Sequence, residues 1–152
     1  MREITGNDLF FACSLIEQIG RMLREKRSTV VADLGKEAVD HLLDYADVFH
    51  CEPIAKVAEE FIEEYDLKPG AFDNVAAARY RVPDVFTFGK VCSRLVEDVA
   101  EEGESFGDAL RRVYASWIID HLSDYNSDFY YQPRDYLAAC YAAGTVLDDD
   151  SD

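Results

Sequence analysis

The chain has 152 residues, 49% of them hydrophobic, and its 31 acidic and 15 basic side chains give a formal net charge of −16. This length fits one domain with its own core, and an aromatic content of 12% excludes an intrinsically disordered chain. The negative charge opposes binding to nucleic acid and to anionic membranes, because both are recognised through lysine and arginine.

The first predicted helix begins near the N-terminus. Thr5 and Asp8 have the spacing of a capping box. Apolar residues then recur every three or four positions over residues 9–23, which is the period of an amphipathic helix. Four basic residues follow in and after its last turn, namely Arg21, Arg24, Lys26 and Arg27. The helix dipole favours cations at this end, so their position requires no ligand.

Three further helices are predicted before residue 69. Ser28 is the expected cap of a short helix that ends at Gly35. A third helix is expected over residues 36–49, and Pro53 suits the first turn of a fourth. The fourth has apolar residues on one face and glutamates on the other. This pattern is typical of a helix that packs on one side only.

The second half of the chain begins with an irregular segment, residues 69–83. We interpret it as an ordered loop with at most one short strand or hairpin near residues 75–83, because the alternating residues there have no evident partner strand. Three helices follow. They are expected from Asp84 or Thr87 to residue 102, over residues 105–122, and over residues 133–143.

These elements predict an all-α fold, a single-domain bundle of about six or seven helices. We expect the domain to cover residues 1–147 and an acidic disordered tail to follow over residues 148–152. No signal peptide is evident, and every apolar run is far shorter than the ~20 residues that span a bilayer. The expected location is therefore the cytoplasm.

No motif for metal, cofactor or nucleophilic chemistry is present. The glycine patterns that bind nucleotides or mark a nucleophile are absent. His41 and His50 are nine residues apart, which would place them on opposite sides of a helix. We therefore expect no metal and no cofactor. No C-x-x-C pair occurs, and all four cysteines are expected to be buried free thiols; they are Cys13, Cys51, Cys92 and Cys140.

The segment 124–131 is the most unusual in composition, since turn-forming polar residues and aromatic residues occur there in equal number. Aromatic side chains are common in interface hot spots, and neighbouring acids suit a basic partner. The predicted partner-binding residues are Asp124, Tyr125, Asn126, Asp128, Phe129, Tyr130 and Tyr131. A partner surface requires Tyr130 and Tyr131 to be at least partly exposed. The alternative is that the rings lock this loop onto the helical core.

Four stretches carry a resemblance to a known family. They are ITGNDLFFACSLIE, DYADVFHCEPIAKVAEEFIEEY, FGKVCSRLVEDVA and DYNSDFYY. With them the chain resembles a family of small acidic bacterial proteins encoded beside ADP-ribosyltransferase-like toxins. The resemblance implies an antitoxin or accessory role. It transfers no functional residue, because none of the four stretches is a catalytic motif.

Three functions are open at this point. The leading one is a non-catalytic, antitoxin-like module that binds or regulates a protein, and the charge favours a basic partner over nucleic acid or a membrane. The second is an enzyme with a polar site near residues 73–81, formed by Asp73, Asn74, Arg79 and Arg81. The third is an acidic mimic of nucleic acid that inhibits a nuclease.

Overall fold

The protein is all-α, as predicted. The computed structural model describes residues 2–147, which contain eight α-helices, one 3₁₀ turn and no strand. The predicted acidic tail, residues 148–152, lies outside the described residues. Within them, no helix is both long and apolar enough to cross a membrane. The elements are α1 (Gly6–Leu23), α2 (Arg27–Asp44), α3 (Ala46–Phe49), α4 (Ile54–Glu64), α5 (Val85–Val99), α6 (Phe106–Tyr114), α7 (Trp117–Leu122), the 3₁₀ turn (Phe129–Tyr131) and α8 (Arg134–Ala143).

The predicted helix cap is present at α1, and a further cap starts α5. The Thr5 hydroxyl accepts the backbone N–H of Asp8, and the Asp8 carboxylate accepts the backbone N–H of Thr5 at 2.8 Å, which completes the capping box. Asp84 caps α5 by accepting the backbone N–H of Thr87 at 2.8 Å. These side chains satisfy backbone donors that a helix leaves free at its start.

The prediction that Ser28 caps the second helix is wrong. Helix α2 begins one residue earlier, at Arg27, after Lys26, which makes no side-chain cap. Ser28 lies in the first turn, where its hydroxyl instead reaches the carboxylate of Asp120 at 3.4 Å. The expected break at Gly35 is present, since its φ of 78° and ψ of 178° are not helical.

The predicted sixth helix, 105–122, is in fact two helices. Helix α6 ends at Tyr114, and the hydroxyl of Ser116 caps a new helix, α7, by accepting the backbone N–H of Ile118 at 3.4 Å. The apolar stripe continues across the break, so helical periodicity alone does not reveal it. The cap at Ser116 is the local signal for the interruption.

Helix α1 forms the centre of the bundle and packs against α2, α3, α4 and α5. Its contact with α5 is very close. A Cβ atom at Gly89 would lie 2.8 Å from the backbone nitrogen and Cα of Ser14. A side chain at this position of α5 would therefore push the two backbones apart.

The middle segment is an ordered loop without a strand, as interpreted from the sequence. Backbone hydrogen bonds tie it to the end of α1, from Gly70 to the carbonyl of Leu23 at 2.9 Å and from Phe72 to the carbonyl of Arg24 at 2.8 Å. These contacts hold the start of the loop against the C-terminal end of α1.

Candidate functional site

A buried ion pair between α1 and α2 underlies the site. Glu17 and Arg27 are each 1% exposed. The Arg27 Nε donates to Glu17 Oε1 at 2.8 Å, and its Nη2 donates to Glu17 Oε2 at 2.9 Å. The contact is thus a two-point guanidinium–carboxylate pair, the geometry that gives this interaction its strength and specificity. Gly20 makes room for it, because a Cβ atom there would lie 2.8 Å from the Arg27 Cζ.

The burial of Arg27 corrects the explanation of the basic residues after α1. Arg24 and Lys26 are exposed, as expected for cations at a helix end, but Arg27 is enclosed and paired. Arg21 is bound too, since its Nε donates to Glu17 Oε2 at 2.7 Å. The sequence signal for this arrangement is Glu17, a carboxylate that interrupts the apolar stripe of α1.

Asn74 and Tyr125 join the ion pair to two distant loops. The Tyr125 hydroxyl donates to the Glu17 carboxylate. Asn74 Oδ1 accepts from Arg27 Nη2 at 3.1 Å, while its Nδ2 donates to the backbone carbonyl of Ser123 at 2.9 Å. The network therefore holds the loop after α4 beside the loop after α7, although the two are about fifty residues apart in the chain.

The protonation states of Glu17 and Tyr125 are set by the groups that surround them. Burial alone would raise the pKa of Glu17, but hydrogen bonds and charge from Arg27, with further help from Arg21 and Tyr125, lower it below its ordinary value. Burial and the Glu17 charge raise the pKa of Tyr125. Glu17 is thus ionised and Tyr125 is neutral at pH 7, so the phenol is the donor and the carboxylate the acceptor.

Four aromatic rings lead from this network to the surface. The rings of Phe88 and Tyr125 meet edge to face at 5.5 Å between centroids, and those of Tyr125 and Tyr130 do so at 6.0 Å. Tyr131 then stacks on Tyr130 at 4.2 Å with an interplanar angle of 30°. One face of the Tyr131 ring rests on the buried ring of Tyr130, and the Tyr131 side chain is 69% exposed.

Tyr130 does not have the exposure that a partner surface requires of it, because only 4% of it is accessible. Tyr125 and Phe129 are buried as well. Phe129 packs against His121 at 4.4 Å between ring centroids and against Tyr136 at 6.4 Å. The buried rings of Tyr125, Phe129 and Tyr130 lock the segment onto the core, in agreement with the alternative interpretation. Of the four aromatic residues in the segment, the structure leaves only Tyr131 open to a partner.

Two adjoining cavities lie over this region. One, of about 400 Å³, lies between the loop after α4 and the end of α7, and the other, of about 550 Å³, lies over the 3₁₀ turn. Tyr125 and Asn126 line both, so the cavities form one groove. We call it the aspartate–tyrosine groove; its charged and exposed aromatic residues are Asp73, Asp120, Asp124, Asp128, Tyr80 and Tyr131.

The groove carries uncompensated negative charge. No lysine or arginine lines either cavity, and none of the four aspartates belongs to an ion pair among residues 2–147. Asp73 and Asp124 accept backbone N–H groups of neighbouring residues at 3.0 Å, and Asp120 accepts from Ser28. All four aspartates remain exposed. A cation in the groove would therefore meet carboxylates that are not engaged in ion pairs within residues 2–147.

A buried hydroxyl lies in the wall of the same groove. Ser123 lines the smaller cavity, and its side chain has no hydrogen-bond partner in the described part of the chain. The sequence alone predicts no functional role for Ser123, Asp120 or Tyr80. No local motif marks them, because they lie in two separate segments that meet only in the folded chain.

The polar site proposed near residues 73–81 is not assembled. Asp73 and Asn74 line the smaller cavity, whereas the exposed side chains of Arg79 and Arg81 line neither. The amide of Asn74 is already occupied at both ends by the buried network. Within residues 2–147, no group of three or more histidine, cysteine, aspartate or glutamate side chains is arranged to hold a metal ion.

Three of the four cysteines are buried free thiols, as predicted, but Cys51 is exposed. It lies in the turn after α3, where its sulfur is 3.9 Å from Nδ1 of His50 and 3.8 Å from the backbone oxygen of Asp47. The Cys51 thiol therefore lacks the burial among apolar neighbours that the sequence predicts for it. Burial raises the pKa of the Cys13 thiol to about 12, which makes that cysteine a poor nucleophile.

The groove is therefore an acidic, partly aromatic surface held in place by a buried ionic network. No family model, curated protein or solved structure matches the chain. The proposed function therefore rests on the chemistry of the groove.

Proposed function

We propose that this protein is a non-catalytic protein-binding module that receives a basic segment of its partner in the aspartate–tyrosine groove. The observation that carries the proposal is the set of four exposed aspartates, none of them ion-paired among the described residues, in a groove that no lysine or arginine lines. Complementary charge speeds encounter and selects the partner. The overall charge of −16 acts in the same direction.

Two exposed tyrosines supply the groove with apolar contact area. Tyr80 and Tyr131 are each 69% exposed and line the larger cavity with Asp128. A cationic side chain against their ring faces would gain a cation–π interaction, worth about 0.5–1 kcal/mol at an exposed site. Because Tyr131 is already stacked on a buried ring, little conformational freedom is lost when a partner binds.

A toxin-neutralising role is one form of this function. Its support is the resemblance to acidic proteins encoded beside toxins, together with a groove suited to a basic surface. A nucleic-acid mimic has less support, since exposed acids are not confined to one face of the molecule: Glu59 and Glu63 lie on α4 and line neither cavity.

The proposal is tested with a fluorescein-labelled peptide that contains four lysines, measured by fluorescence anisotropy against the whole protein. The groove variant Asp124→Asn/Asp128→Asn removes two negative charges. The control Glu59→Gln/Glu63→Gln removes the same charge from α4. We expect the groove variant to bind about 3- to 30-fold more weakly, from two lost surface ion pairs, and the control to change binding by less than 2-fold. Equal weakening in both would mean non-specific attraction and would overturn the proposal.

A further inference from the structure

The side chain of Ser123 is the feature that distinguishes the smaller cavity from an ordinary acidic surface. Its hydroxyl is buried and has no hydrogen-bond partner in residues 2–147, although its backbone carbonyl accepts from Asn74. An unsatisfied buried hydroxyl costs free energy. The same cavity is lined by Asp73, Asp120 and Asp124. A ligand with several N–H donors would satisfy the hydroxyl and the carboxylates together.

From this arrangement we infer that the smaller cavity binds an arginine side chain of the partner, with Asp120 and Asp124 as charge partners and the Ser123 hydroxyl as an additional acceptor. The inference rests on the proposed function and specifies which basic residue the groove selects. Ser123 is the last residue before the loop, at the C-terminal end of α7.

Arginine fits this cavity better than lysine on chemical grounds. A guanidinium presents five N–H donors in a flat fork, whereas an ammonium has three donors around one point. The acceptors come from two segments of the chain, Asp73 from one and Asp120 to Asp124 from the other. A flat, forked donor reaches acceptors on both sides at once. The ring of Phe72 also lines the cavity, and a guanidinium plane can stack against it.

The test uses three labelled nonapeptides that are identical except at four positions, which hold arginine, lysine or uncharged citrulline. Binding to the whole protein is measured by fluorescence anisotropy. We expect the arginine peptide to bind about 10-fold more tightly than the lysine peptide, the difference that one extra hydrogen bond to a charged group makes. Both should bind more tightly than the citrulline peptide.

The variant Ser123→Ala removes the additional acceptor. It should weaken the arginine peptide about 10-fold and change the lysine peptide by less than 2-fold. Its matched control is Ser14→Ala, which removes the other buried hydroxyl without a partner, on α1, outside both cavities. That control should leave all three affinities unchanged. Neither substitution removes a hydrogen bond found among residues 2–147, so both variants should melt at or above the wild-type temperature.

The possible results separate the two claims. If arginine and lysine peptides bind the wild-type protein equally, but both more tightly than citrulline, the arginine site is overturned and the proposed function stands. Unchanged arginine binding by the Ser123→Ala variant overturns the role of the hydroxyl in the same way. If neither basic peptide binds more tightly than the citrulline peptide, the proposed function fails as well.

Discussion

The hydroxyl of Tyr125 donates a hydrogen bond to the buried carboxylate of Glu17, 108 residues earlier in the chain. This contact joins the central helix α1 to the loop that forms the aspartate–tyrosine groove. Tyr125 also lines both cavities of the groove. The floor of the proposed binding surface is therefore fixed by an ionic network in the core, and damage to that network should reach the groove.

Replacement of Glu17 by Gln should strongly destabilise the fold. The variant leaves the buried Arg27 guanidinium without its nearest negative charge, and such unpaired buried charges cost about 3–5 kcal/mol. For a chain of this size that lowers the melting temperature by roughly 6–20 °C. Glu59→Gln, at an exposed position of α4, is the control and should change stability by less than about 0.5 kcal/mol. Equal melting temperatures for the two variants would contradict a stabilising network.

Stability should fall in acid partly through Glu104. The hydrogen bond from the Arg112 guanidinium, with one from the backbone N–H of Glu101, lowers the pKa of Glu104 from 4.5 to about 2. The folded state therefore binds this proton less readily than the unfolded state. The resulting stability is present above pH 4.5 and is lost as the pH falls toward 2.

The variant Glu104→Gln isolates this contribution. Urea unfolding at several pH values should show the wild type more stable than the variant at pH 6, with a difference that shrinks toward zero near pH 2. If the difference in the free energy of unfolding stays constant over this range, protonation of Glu104 is not coupled to folding, and the prediction is contradicted.

Tyr130 and Tyr131 are adjacent but should respond in opposite ways to truncation. Tyr130→Ala removes a buried ring and should cost about 3–5 kcal/mol, as large aromatic deletions do. Tyr131→Ala removes an exposed ring and should change stability by less than about 1 kcal/mol. Binding of the basic peptide should be weakened by Tyr131→Ala in a protein that melts near the wild-type temperature. Loss of stability in both variants would place Tyr131 in the core and remove it from the binding surface.

Thiol labelling should distinguish one cysteine from the other three. Cys51 is exposed, whereas Cys13, Cys92 and Cys140 are buried. With an aromatic disulfide reagent, the native protein should react quickly at one thiol, and the unfolded protein at four. The variant Cys51→Ser should abolish the fast phase. A fast phase that persists in this variant would mean that a buried cysteine becomes accessible in the native state.

The helices were largely predictable because their signals are local. The capping box of Thr5 and Asp8 and the apolar period of each segment depend on residues within a few positions of each other. The break before Ser116 was missed because the apolar stripe continues across it. Local periodicity reports which face is buried, and it does not report whether the backbone is continuous.

The site was only partly predictable because it depends on contacts between distant segments. The composition of residues 124–131 predicts a segment of mixed polar and aromatic side chains at the surface or on the core, but which rings face inward depends on the 3₁₀ turn and on Glu17, more than a hundred residues away. Glutamate and arginine are residue types that usually lie at the surface, and the burial of Glu17 and Arg27 is explained only by their pairing. Tyr80 and Ser123 become part of one surface only because the two loops lie side by side in the folded chain.

The most direct test of the groove is a nuclear magnetic resonance titration of the ¹⁵N-labelled protein with the four-arginine peptide, in which backbone amide shifts are followed residue by residue. We predict that the largest shifts occur at residues 73–80 and 120–131, that they saturate together, and that they decrease in the Asp124→Asn/Asp128→Asn variant. Largest shifts along the glutamates of α4, or small shifts spread evenly over the surface, would contradict a specific binding groove.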